Sequence, residues 1–129
     1  MIFLTGANGF LGRHVLNLLE GQKHQVCCLS KNPQSNTNLV KWKHFDLASS
    51  SQPEDLLKGC TQIFHVAAAI KGKPEYLAKI NYLGTQILLE AAEIANVKKF
   101  IYISSIDALL FNYPYAKSKG DAEELVTNS

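Results

Sequence analysis

The sequence predicts an α/β protein: a doubly wound sheet of about five parallel strands in the order 3-2-1-4-5, with helices on both faces. Three observations predict it. Apolar runs of strand length alternate with stretches of helical period, the pattern of repeated βαβ units. A glycine-rich turn stands between the first such run and the first helical stretch. The run over residues 62–69 is apolar on both faces, as a central parallel strand must be. Right-handed crossovers then set the strand order.

The elements follow in order. Residues 1–5 form the first strand. Leu11, Val15, Leu18 and Leu19 then recur on one helical face, and the helix ends near Gly21. Residues 24–30 form the second strand, and Asn32 to Asn38 a loop rich in Asn, Ser and Pro. Val40 to Phe45 reads as a short third strand. Pro53 opens a helix through Leu57 that Gly59 closes. After the fourth strand, Gly72 and Pro74 break the chain ahead of one long helix over about 76–95. Lys99 to Ser104 is the fifth strand and Tyr115 to Val126 the last helix.

Composition narrows the class. With 129 residues, 47% of them apolar and 19% charged, the chain is one globular domain able to bury its own core. The net charge of +2 comes with no basic cluster beyond Lys71/Lys73 and Lys98/Lys99, which argues against a nucleic-acid partner. No signal peptide and no membrane-length apolar run is visible, so a soluble, cytoplasmic protein is expected. Cys27 and Cys28 are adjacent in a strand and point to opposite faces. With Cys60 they read as buried reduced thiols, and no Cys/His spacing suits a metal.

The chemistry begins at Gly6-Ala7-Asn8-Gly9-Phe10-Leu11-Gly12, a glycine-rich strand-to-helix turn. Gly6 permits the tight turn, Gly9 lets the backbone approach a pyrophosphate, and Gly12 lets helix and strand pack closely. Free amides of the first helical turn then face the phosphates. Tyr115 and Lys119, four apart on a helix, project from one face, and an ammonium beside a phenol favours the phenolate. Tyr113 and Lys117 form a competing pair at the same spacing.

Thr5 to Gly12 resembles the TGxxGxxG fingerprint of short-chain dehydrogenases/reductases, particularly the extended, epimerase/dehydratase-like branch. Later stretches match in order: Phe45-Asp46-Leu47, Phe64-His65-Val66-Ala67-Ala68, Asn81-Tyr82-Leu83-Gly84-Thr85, Ile103-Ser104-Ser105 and Tyr115-Ala116-Lys117-Ser118-Lys119. The resemblance implies a Rossmann-like NAD(P) site involving Gly6, Asn8, Gly9, Phe10, Leu11, Gly12, Asp46, Leu47, Ala67, Ala68 and Lys119. It implies a catalytic group of Ser105, Tyr115 and Lys119, supported by Asn81, and gives His65 a structural place near the cofactor. The flanks Pro114, Ser118 and Glu123 favour Tyr115/Lys119 over Tyr113/Lys117, and Ser105 is favoured over Ser104 as the last hydroxyl of the strand end.

At the end of the second strand this sequence has Ser30-Lys31-Asn32 and no acid. Lys31 would attract a 2′-phosphate that a carboxylate would repel, which favours NADP over NAD. The chain departs from the family in two places. Only nine residues separate Ser105 from Tyr115, and the sixth strand and C-terminal substrate part have no counterpart. The expected function is NAD(P)-dependent oxidoreduction or epimerase/dehydratase chemistry on a small molecule, with hydride transfer at a secondary alcohol or ketone carbon. The alternative is a dinucleotide-binding module without turnover. The fifth strand, left as an edge, leaves a homo-oligomer open.

Overall fold

The computed structural model describes residues 1–49 and 55–129. Its sheet has five parallel strands in the order β3-β2-β1-β4-β5, as the sequence predicts. They are β1 (Ile2–Thr5), β2 (Val26–Ser30), β3 (Val40–His44), β4 (Gln62–His65) and β5 (Lys99–Tyr102). Helix α1 (Phe10–Gly21) joins β1 to β2, and α2 (Pro74–Leu77) and α3 (Gly84–Ile94) lie between β4 and β5. A short α4 (Ile106–Leu110) and a longer α5 (Pro114–Thr127) follow β5.

Alternation along β1 and β2 splits the core into two clusters. Phe3, Cys27, Leu29 and Ile63 face Leu56, Leu57 and the α3 residues Leu88 and Ala92. Leu4, Val26, Cys28 and Val40 face the α1 residues Leu16 and Leu19. Cys27 and Cys28 therefore lie on opposite faces of the sheet, and burial pushes both thiols up, Cys28 to about 12. All three cysteines are free.

Both helices that feed a strand end in the same way. Lys23 (φ 64°) follows α1, with its amide on Glu20 and that of His24 on Leu19. Asn96 (φ 56°) follows α3, with its amide on Glu93 and that of Val97 on Ala92. These paired bonds satisfy the last helical carbonyls and turn the chain back toward the sheet. They also explain why β2 starts at Val26 and not at residue 24: His24 belongs to the helix cap.

Further boundaries differ from the sequence reading. β4 stops at His65 and not at residue 69, because its neighbour β1 ends at Thr5. Beyond that point the amides of Val66 and Ala67 bond the Thr5 hydroxyl, both at 3.1 Å. β5 likewise ends at Tyr102, opposite the last residue of β4, with the Ile103 amide making a final bond to the His65 carbonyl at 3.2 Å. The helix expected over 76–95 starts at Pro74 and contains a π-helical segment, Ala78–Leu83, between α2 and α3. The expected helix start at Pro53 lies outside the described residues, while residues 55–59 form turns that end at Gly59 (φ 80°). Helix α4 occupies what the sequence suggests is a bare loop. Ser105 caps it by accepting the Asp107 amide at 3.3 Å. Among the described residues, no helix is long and apolar enough to cross a membrane.

Leu88 is fully buried at the centre of the α3 face. Leu88→Ala is expected to lower unfolding stability by about 3 kcal/mol, read as a shift in urea midpoint at unchanged m-value.

Candidate functional site

The glycine turn is built by close approach. Gly6 has φ 79°, and a Cβ there would lie 2.7 Å from the Ala67 nitrogen. A Cβ on Gly12 would stand 1.8 Å from the Gly6 carbonyl oxygen. Any side chain at either position would push the turn off the sheet. Gly9 is the N-cap of α1 and lacks a side-chain cap bond, so the first-turn amides of α1 keep their donors for another acceptor. A cleft of about 640 Å³, open to solvent, lies against this turn.

Of the residues expected to hold a cofactor, Gly6, Asn8, Lys31, Asp46, Leu47, Ala67 and Ala68 line the cleft. Gly12 is buried beneath the turn, while Phe10 and Leu11 turn their side chains to solvent at the helix start. The Asn8 amide ties the turn to the end of β2, donating to Ser30 Oγ at 2.9 Å and the Asn32 carbonyl at 3.1 Å. Arg13 donates to the Asn8 carbonyl at 3.2 Å, which puts a second cation on the same rim as Lys31. The only ion pair among the described residues is Lys117–Asp121, so neither of these cations is neutralised by a carboxylate. Asp46 accepts the Ala48 amide at 2.9 Å, which shapes the far wall. Tyr76 and Ile80, which the sequence does not single out, close the cleft from the helix side.

Beneath the cleft runs a buried chain of hydrogen bonds. Thr5 Oγ1 lies 2.7 Å from His65 Nδ1, and His65 Nε2 lies 2.9 Å from Thr85 Oγ1. Thr85 donates to the Asn81 carbonyl at 2.7 Å, so its oxygen must accept from Nε2–H. His65 is then the Nε2–H tautomer, and Nδ1 accepts the Thr5 hydroxyl proton. That assignment is consistent with the Val66 and Ala67 amides occupying the lone pairs of Thr5. His65 is neutral: burial, with Lys119's charge as a lesser cause, holds its pKa down at about 3.

The chain continues through Asn81. Its side-chain oxygen accepts the Ala69 amide, and its nitrogen donates to the Ala69 carbonyl, both at 2.8 Å. The same nitrogen donates to Ser118 Oγ at 3.0 Å, and Ser118 donates to the Tyr115 carbonyl at 2.8 Å. Asn81 sits in the π-helical segment, where its own carbonyl is taken by the Thr85 hydroxyl. Gly84 lets this helix approach Leu47, which a Cβ would meet at 3.0 Å.

Ser105 follows the end of β5, and Tyr115 and Lys119 lie in the first two turns of α5. Lys119 is buried, donates to the Ile103 carbonyl at 2.6 Å and lies 4.4 Å from the Tyr102 ring centre. Burial pushes its ammonium down to about 8, with Glu123 pulling the other way. Tyr115 is half-buried in the first turn of α5. Ser104 donates to the Glu123 carboxylate at 2.6 Å. The competing pair is placed differently. Tyr113 donates to the Asp107 carboxylate, and Lys117 pairs with Asp121 at 2.8 Å, both on the exposed side.

Fold, glycine turn and cleft together define a Rossmann-like domain of the short-chain dehydrogenase/reductase type. The chain belongs to the NAD dependent epimerase/dehydratase family, whose sequence profile matches residues 2–129. It is 31% identical over 153 aligned residues to the 3 beta-hydroxysteroid dehydrogenase/Delta 5→4-isomerase of Monkeypox virus, an alignment covering 95% of this chain and 44% of that protein. Among solved structures it resembles an NAD-bound short-chain dehydrogenase/reductase superfamily protein from Agrobacterium tumefaciens, with a TM-score of 0.86 at 28% identity, covering 98% of this chain and 44% of the other. It also resembles MoeE5 in complex with UDP-glucuronic acid and NAD, with a TM-score of 0.81 at 27% identity, covering 96% and 47%. The chain spans less than half the length of these relatives.

The histidine generates a pH prediction. Folded His65 titrates near 3 and the unfolded side chain near its ordinary 6.5. Between those values the unfolded chain binds a proton that the folded chain does not. Stability is therefore full above pH 6.5 and falls as the pH drops through that window, by about 1.4 kcal/mol per pH unit at most. Urea midpoints at pH 7.5 and 5.5 are expected to show this loss. His65→Gln, less stable throughout, is expected to show a flatter dependence between the same two values.

Proposed function

We propose that this chain is the cofactor-binding part of an oxidoreductase or epimerase/dehydratase-type enzyme, binding NAD(P) with NADP favoured over NAD. The observation that carries the reading is the Gly6 turn: a positive-φ glycine pressed against Ala67, beside a helix start with no side-chain cap and an open cleft of about 640 Å³. The residues present fit the cofactor. The amides at the start of α1 suit its phosphates, Lys31 and Arg13 suit a 2′-phosphate, and Asp46 and Leu47 wall the adenosine end.

When bound, the dinucleotide supplies or accepts hydride at a secondary alcohol or ketone carbon. The chain's own groups handle the proton. Tyr115 takes or gives it at the substrate oxygen, and Ser105 orients that oxygen. Lys119 would hold the nicotinamide ribose. Asn81, with its amide committed to Ala69 and Ser118, acts as a positioning residue. The alternative, a dinucleotide-binding module without turnover, draws support from the solvent exposure of the segment after Ser105.

Fluorescence titration with NADPH and NADH tests binding, and hydride exchange with a panel of alcohols and ketones tests turnover. Lys31→Glu is expected to weaken NADPH by about tenfold or more, roughly 1.4 kcal/mol, and to leave NADH nearly unchanged. Tyr115→Phe is expected to cut hydride exchange by about a thousandfold with NADPH affinity within about threefold of the parent. Binding without turnover, indifferent to Tyr115→Phe, would leave the non-catalytic module. Absence of binding to either dinucleotide would overturn both.

A further inference from the structure

Tyr113, whose pair with Lys117 competes in the sequence with Tyr115 and Lys119, has a use of its own. Nine residues separate Ser105 from Tyr115, and so short a connection must set the positions of two helix starts at once. Most of that constraint falls on Asp107. Its amide donates to Ser105 Oγ at 3.3 Å, its carbonyl accepts the Phe111 amide at 2.9 Å, and its carboxylate accepts the Tyr113 hydroxyl. Ser105 and Phe111 cap the two ends of α4, and Tyr113 is the N-cap of α5. Asp107 thus bonds every residue at which the chain changes direction between β5 and α5. The amide that Ser105 Oγ accepts occupies one of its lone pairs and leaves its hydrogen to donate.

Tyr113 passes this constraint to Tyr115. Its carbonyl accepts the Lys117 amide at 2.8 Å, the first hydrogen bond of α5, and Pro114 follows in the first helical position. Its ring stacks on Tyr115, with centroids 6.4 Å apart and 29° between planes, and the Phe111 centroid lies 6.0 Å from that of Tyr113. A phenol at the surface turns freely about its side-chain torsions unless its hydroxyl is held. A hydrogen bond to an ionised carboxylate is among the stronger ways to hold it. The same bond keeps the Tyr113 phenol above its ordinary range, so it stays a donor to Asp107. Ala108 meets α5 at Gly120, where a Cβ would lie 3.5 Å from the Ala108 carbonyl oxygen. This backbone contact docks α4 on α5 independently of the Asp107 side chain.

We propose that Asp107 and Tyr113 are positioning residues of the candidate proton-transfer group, holding Ser105 and the Tyr115 ring at a fixed separation through one carboxylate. The proposal rests on the reading of Ser105 and Tyr115 as the pair that orients the substrate oxygen and moves its proton. Asp107 and Tyr113 act through those neighbours. A misplacement of about 1 Å between reacting groups costs on the order of a hundredfold in rate, so a bond that fixes their separation is read in turnover.

The test reads both the ring and the reaction. In protein with isotope-labelled tyrosine rings, the Tyr115 resonances, assigned through Tyr115→Phe, are expected to move in Tyr113→Leu, which removes the stacked ring. They are expected to move in Asp107→Ala as well, which releases it. Turnover is measured on the full chain saturated with NADP or NAD, whichever binds more tightly, using the secondary alcohol of the panel above that the parent oxidises fastest. Asp107→Ala and Tyr113→Phe are each expected to lower kcat about tenfold, with dinucleotide affinity within about twofold of the parent. Both break one bond, so the double variant is expected to lose no more than either alone. Asp107→Asn keeps an oxygen to accept the hydroxyl and is expected to stay within about threefold of the parent. Tyr115 resonances unmoved by Tyr113→Leu would overturn the proposal. So would losses that multiply in the double variant, or a fall in thermal stability with kcat intact. A parent that binds dinucleotide and oxidises no alcohol removes the assigned role of Tyr115 and this inference with it, and leaves cofactor binding standing. Failure to bind either dinucleotide overturns the cofactor reading too.

Discussion

The placement of the candidate site depends on one buried imidazole. His65 ends β4 with both ring nitrogens engaged, Nδ1 by Thr5 at the end of β1 and Nε2 by Thr85 on α3. Thr5 immediately precedes the glycine turn, and Thr85 bonds Asn81, which reaches α5 through Ser118. The turn that would cradle phosphates and the helix that carries Tyr115 are therefore located by one continuous set of bonds. In a buried setting an unmade bond costs more than a made one gains, so each member enforces the geometry of the next.

Much of this was legible in the sequence. Strand order followed from βα alternation and handedness, and the glycine turn from three residues whose spacing only close backbone approach explains. The cleft-lining residues Asn8, Lys31, Asp46, Leu47, Ala67 and Ala68 were legible only because short motifs fell in a known order. Tyr76 and Ile80 carry no such mark: they line the cleft because a helix happens to pass there. Arg13 stood one place beyond the third glycine and could have been noticed as a cation at a helix start. Thr5 and Thr85 were visible as motif letters, but their function as the two partners of His65 is a tertiary fact, joining positions 60 and 20 residues distant from it.

Element boundaries failed where tertiary bonding overrode local pattern. The apolar run of β4 continues to residue 69, yet pairing stops at His65 because the neighbouring strand has turned away. The segment after Ser105 reads as a loop by length, yet a serine cap and four good apolar or helix-forming residues make it a helical turn. Its apolar content was visible from the start. What the sequence could not give was the continuity of its rings with Tyr115, since that depends on how α5 begins.

The π-helical segment has a consequence of its own. A π turn is an α-helix carrying one residue too many, and 3.6 residues per turn makes that surplus worth about 100° of rotation. Removing any single residue from Ala78–Leu83 would let α2 and α3 close into one regular helix with better local hydrogen bonding. It would also swing α2, and Tyr76 with it, a quarter turn about the axis and away from the cleft. The helix thus keeps its irregular form against its own backbone preference, held there by the Asn81 clamp and the Thr85 hydroxyl. Its angular setting is a property of two side chains, and length changes in this helix would act on the cleft as a rotation, where changes elsewhere act as a displacement.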